Sequence, residues 1–102
     1  MSQSELEDDV VTKKQSQVKK PKLFKVIFHN DDFTTMEFVV HVLEVVFYKS
    51  AAEAAQIMLR VHKHGLSVVG IYTREVAETK VETTMQWARQ EGHPLMVTME
   101  PE

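Results

Sequence analysis

Three short runs decide what this chain can fold into: LFKVIFH (23–29), LSVVGIYT (66–73) and PLMVTME (94–100). The first has the aromatic and β-branched content of a strand, with Phe24, Val26 and Phe28 on one face. The second is apolar almost throughout and reads as a strand buried on both faces. Three strands do not make a sheet that stands alone in water, so the segments between them must supply a helical layer.

Those segments carry helix signals. Thr34 and Glu37 have capping-box spacing, with Phe33 and Phe38 placed as a hydrophobic staple. A helix is expected from there to about Tyr48, with Met36, Val39, Val40, Leu43 and Phe47 at helical spacing. Ser50 and Glu53 repeat the capping box and open a helix that stops at Gly65, its apolar side marked by Ile57, Met58 and Val61. Thr73 is placed to cap a third helix in which Ala77, Val81, Met85 and Ala88 share a face; Gly92 ends it and Pro94 forbids continuation. The predicted order is β-α-α-β-α-β, an α+β fold with a small three-stranded antiparallel sheet covered on one face by three helices.

A chain of 102 residues suits one such domain. Residues 1–22 hold almost no large apolar side chains and are expected to be a disordered extension, leaving 23–102 as the folded domain. No run is long enough to cross a membrane, and the acidic start MSQSELEDD does not resemble a signal peptide. The absence of cysteine removes disulfides, thiol nucleophiles and zinc thiolates, and suits a reducing cytoplasm. Net charge is −3, but residues 23–102 hold eleven acids against seven bases. Nucleic-acid binding needs clustered Lys and Arg, so an acidic body argues against it.

HNDDF (29–33) concentrates acceptors as no other stretch does. A strand-to-helix turn favours Asn and Asp for backbone reasons, and one helix cap accounts for Asp32 or Thr34. A metal site built from Asp31, Asp32 and His29, His62 or His64 lacks ligand spacing, because residues two apart do not share a helical face. Catalysis lacks a phosphate loop and a nucleophile elbow, so no enzyme and no cofactor are expected. Cation recognition fits: an ammonium donates three N–H bonds and wants acceptors around one point, which Asn30, Asp31 and a neutral His provide. Met36, Val39, Met58 and Val61 would line an apolar hole beside them, although such stripes also serve as core. Turn chemistry and cation recognition both satisfy the pattern.

VIFHNDDFTTMEFVVHVLE, QIMLRVHKHG, GIYTREVAETKVE and HPLMVTMEPE resemble the ClpS family, the N-end-rule adaptors of the Clp protease, from about Leu23 to the C-terminus. The resemblance implies a non-enzymatic, monomeric, cytoplasmic bacterial adaptor. It would bind proteins that begin with Phe, Leu, Trp or Tyr and deliver them to the AAA+ unfoldase ClpA. It implies that Asn30, Asp31 and His62 hold the free α-amine, supported by Asp32 and Thr34. Met36, Val39, Met58, Val61 and Leu95 would wall the side-chain pocket, with Met36 as a gate against β-branched residues. Glu75 and Lys80 would dock on the ClpA N-terminal domain, and residues 1–22 would be the segment the unfoldase engages. One departure is Thr35, where the family commonly has Pro. The rival from another class is a ribosome- or RNA-associated module of similar element order, which salt-dependent RNA binding would reveal.

Overall fold

A computed structural model describes residues 20–102, so the expectations for the extension before Lys20 lie outside the described residues. The order β-α-α-β-α-β is as predicted: β1 Leu23–His29, α1 Met36–Val45, α2 Ala51–His64, β2 Leu66–Thr73, α3 Arg74–Gln90 and β3 Met96–Pro101. The three strands form one antiparallel sheet in the order β2-β1-β3, with β1 in the centre.

Helices cover the face of β1 that presents Phe24, Val26 and Phe28. Val26, Phe28, Val42 and Leu43 are wholly buried there, with Leu95 and Val97 beside them. Each such side chain contributes about 1.5–3 kcal/mol by leaving water. Phe28 meets Phe47, two residues beyond α1, edge-on at 5.4 Å, and Phe38 of α1 meets Trp87 of α3 at 5.5 Å, which ties the α1–α2 connection to the sheet and α1 to α3. Among the described residues no helix covers the opposite face of the sheet, where Leu66, Val68, Ile71 and Met96 are exposed.

β2 departs from the expected fully buried strand. It is an edge strand, and Ser67 and Val69 are buried while Leu66, Val68 and Ile71 are exposed. Its register slips where Val26 pairs with Gly70 but Ile27 pairs with Val68, leaving Val69 as an extra residue turned to the core.

The helix ends also differ in detail. The first cap is Thr35, not Thr34: Thr35 Oγ1 accepts the Phe38 amide at 3.1 Å, whereas the Thr34 hydroxyl goes to Asp31. The Thr34–Glu37 capping box and its staple do not form, and Phe33 stands 78% exposed. At φ −73° the Thr35 backbone would accommodate the family's proline, but only threonine adds the side-chain cap. α1 stops at Val45, before the expected Tyr48, which adopts a left-handed φ of 56°. Ser50 caps α2 as expected by accepting the Glu53 amide at 3.1 Å. Gly65 ends α2 at φ 86°, a conformation that favours glycine. Thr73 stands at the start of α3 without a side-chain cap bond, and α3 ends at Gln90, two residues before Gly92.

Lys80 on α3 closes the α1–α2 junction. Its ammonium donates to the Val46 carbonyl at 2.6 Å and lies over the rings of Tyr48, Tyr72 and Phe47 at 4.7, 5.3 and 5.6 Å. Burial pushes this ammonium below its usual range and the Tyr72 phenol above its own. Lys80→Met keeps the stem but orphans the carbonyl, and should lower stability by about 1–2 kcal/mol in denaturant melts. An unchanged midpoint would show that the contact adds nothing.

Candidate functional site

The site is built where β1 and α2 end side by side. The β1–β2 ladder pairs His29 with Leu66, and one further backbone bond, Asn30 N–H to the Gly65 carbonyl at 2.8 Å, carries the ladder into the turn. This rung sets the N-D-D turn next to the last turn of α2, which holds His62.

Asp31 shapes the turn. Its Oδ1 accepts the Phe33 and Thr34 amides at 2.8 and 2.6 Å, and its Oδ2 accepts the Thr34 hydroxyl at 2.6 Å. Turn chemistry is therefore present, but three bonds leave a carboxylate with about one free lone-pair direction. Burial alone would push the Asp31 carboxyl up. Hydrogen bonds from the Thr34 hydroxyl and from the Thr34 and Phe33 amides, together with nearby His93, more than offset it and hold the group below the ordinary carboxylate value.

Asn30, Asp31, Asp32, Thr34 and His62 rim a cavity of about 230 Å³, and Met36, Val39, Met58 and Val61 line it. Val39 and Val61 are buried, at 7% and 4% exposure, while Met36 is 46% exposed and Met58 half-buried. The volume is below the roughly 300–1,000 Å³ of a site for a drug-sized molecule, and suits a single side chain. Nine of the ten residues expected at a peptide site thus surround one hole.

Leu95 does not join them. It is 1% exposed in the core, and the Arg89 guanidinium donates to its carbonyl at 2.9 Å. The same guanidinium donates to the His93 carbonyl at 2.9 Å, and the His93 amide donates to the Ala88 carbonyl at 2.7 Å. These bonds hold the α3–β3 connection against the site, with the His93 ring tilted at 40° against Phe38, 4.5 Å between centres. His93 was not among the residues expected here. Its place follows from the His29–Met96 pairing of β1 with β3, which brings the residues ahead of β3 toward the turn.

Glu75 and Lys80 are both on α3 but differ in setting. Glu75 is exposed in the first turn and borders a shallow groove with Lys22, Phe24 and Arg74. Lys80 is committed to Val46 and the aromatic rings. Among the described residues, no group of three or more His, Cys, Asp or Glu is placed to hold a metal ion, and no helix is long and apolar enough to cross a membrane.

Fold and site together define a small α+β domain with a side-chain-sized, acceptor-rimmed pocket. The model of the family described as ATP-dependent Clp protease adaptor protein ClpS matches residues 19–98. The ATP-dependent Clp protease adapter protein ClpS of Desulfatibacillum aliphaticivorans is 55% identical over 94 residues, covering 92% of this chain and 90% of that protein. Its counterpart in Parvibaculum lavamentivorans is 57% identical over 93 residues, covering 91% and 84%. The solved structure of Agrobacterium tumefaciens ClpS2 bound to L-phenylalaninamide matches with a TM-score of 0.79 and 42% identity, covering 81% of this chain and 100% of that chain. The chain belongs to the ClpS family of Clp protease adaptors.

The Asp31 carboxyl is held low in the fold, so its ionised form stabilises the native state above the ordinary carboxylate value of about 3.8. That stabilisation is lost as pH falls through the lowered folded value. Asp31→Asn should be less stable than the parent by about 1 kcal/mol at neutral pH, with the gap closing below about pH 4. Melts in which the gap does not change with pH would assign the loss to something other than the charge.

Proposed function

We propose that this protein captures substrates through a free N-terminal residue with a bulky hydrophobic side chain (Phe, Leu, Trp or Tyr) and delivers them to the AAA+ unfoldase ClpA. It does so as a monomeric, cytoplasmic, non-enzymatic adaptor. The observation that carries the reading is the cavity itself, in which amine acceptors and an apolar floor share about 230 Å³. The relative bound to L-phenylalaninamide supports it, because that ligand has a free α-amine, a benzyl side chain and an amide where a chain would continue.

The α-ammonium sits among Asn30, Asp31 and His62, with Asp32 and Thr34 supporting the rim, and the side chain descends between Val39 and Val61. An internal peptide has no ammonium and leaves those acceptors unpaired, at about 1–3 kcal/mol per desolvated group. Shape is the weaker filter, since one methylene changes binding by only about 1–3 kcal/mol. Met36, exposed at the mouth, gates against side chains branched at Cβ. Leu95 acts from beneath, as packing for the floor. Glu75 is an exposed docking contact for the unfoldase, and Lys80 organises the same helix.

Acetylating the α-amine of a Phe-initiated peptide should abolish binding in calorimetry, and undiminished affinity would refute the acceptor rim. Met36→Ala should admit Ile- and Val-initiated peptides; if it does not, the gate is elsewhere. His62→Ala removes one acceptor from the rim and should weaken binding of a Phe-initiated peptide several-fold, and unchanged affinity would take His62 out of the site.

A further inference from the structure

We propose that Met36 is a reversible oxidation site: a peroxide converts its thioether to the sulfoxide, and the sulfoxide weakens the cavity's hold on a substrate's first side chain. This rests on the reading of the cavity as the seat of a free N-terminal residue. The chain has no cysteine, so methionine supplies its only sulfur, and no thiol competes for the oxidant. Five of the six methionines lie among the described residues, and they differ in access. Met36 and Met96 are 46% and 48% exposed, whereas Met58, Met85 and Met99 are half-buried against the core. Exposure governs attack, so Met36 and Met96 react first.

The two exposed thioethers stand in different settings. Met96 begins β3 on the sheet face that no helix covers among the described residues, and an added oxygen there meets water. Met36 begins α1 and lines both the cavity and a groove along the outer side of that helix. It is thus open to an oxidant and at the same time part of the wall that a bound side chain touches.

The step balances with the peroxide alone. The sulfur lone pair bonds to one oxygen as the O–O bond breaks, and the other oxygen leaves as water with the proton of the transferred hydroxyl. Sulfur loses two electrons and the peroxide gains them; a thiol-dependent sulfoxide reductase returns them and releases the added oxygen as water. A thioether suits the wall because it is apolar and adaptable. The sulfoxide carries a polar acceptor, and the rest of the apolar lining, Val39, Met58 and Val61, has no side-chain donor to meet it. A bound aromatic or aliphatic side chain strips water from that oxygen and leaves it unpaired, which should weaken binding about tenfold.

The test treats the full chain with hydrogen peroxide, removes the excess with catalase and locates sulfoxides by peptide-mapping mass spectrometry. Fluorescence anisotropy then reads affinity for a labelled, methionine-free peptide that begins with Phe. Met36 and Met96 sulfoxides should accumulate before those of Met58, Met85 and Met99, and affinity should fall about tenfold in step with Met36. A sulfoxide reductase with dithiothreitol should restore it. Each variant is compared with its own untreated form: Met96→Leu should keep the peroxide-dependent loss, and Met36→Leu, a swap of similar volume, should abolish it. Saturating peptide should slow oxidation of Met36 but not of Met96, and the same peptide acetylated at its amine should slow neither. Undiminished affinity after full conversion of Met36, or a loss that persists in Met36→Leu, would overturn the oxidation site while leaving the pocket standing. So would oxidation of Met36 no faster than that of Met58. Failure of the peptide to bind the untreated protein would overturn the reading beneath it.

Discussion

The hydrogen bond from the Asn30 amide to the Gly65 carbonyl is the constraint on which the site depends. Residues 30 and 62 are remote in sequence, and nothing local brings an asparagine turn to a helical histidine. The antiparallel ladder of β1 and β2 does so, extended by one rung beyond its last strand pair. Gly65 makes that rung possible: its left-handed backbone ends α2 and reverses the chain directly into β2. Pocket geometry is thus fixed by strand pairing, which is stiff, and not by loop packing.

The polar groups of the site serve two purposes at once. Asp31 spends three hydrogen bonds on the shape of its own turn and leaves one acceptor direction and its charge open at the cavity. Preorganisation of this kind means that little ordering remains to be done on binding. Lys80 shows the reverse allocation, its ammonium drawn inward to a carbonyl and three rings.

The order of elements was legible because periodicity, caps and Gly/Pro stops agree with one another along the chain. Nine residues of the pocket were legible too, through the turn, the two apolar helix faces and the family motifs. Errors arose where tertiary pairing overrides local pattern. Val68 and Val69 are consecutive apolar residues, which reads as burial on both faces; the bulge instead shifts the alternation by one position. Thr34 stands three residues before Glu37 as a cap should, but the Asp31 carboxylate takes its hydroxyl and Thr35 becomes the cap. Leu95 and His93 are placed by the entrance to β3, and no motif near them announces which of the two faces the turn.

The bulge at Val69 has one more consequence. A sheet edge with evenly spaced, unpaired amides and carbonyls is a template on which any extended chain can zip. For a protease adaptor such an edge would invite accidental strand addition. Val69 breaks the spacing of β2 midway and strengthens its twist, so the exposed border offers no straight run to copy. The same residue that confounds a reading of the strand from sequence thus makes the β2 border of the sheet a poor template for strand addition.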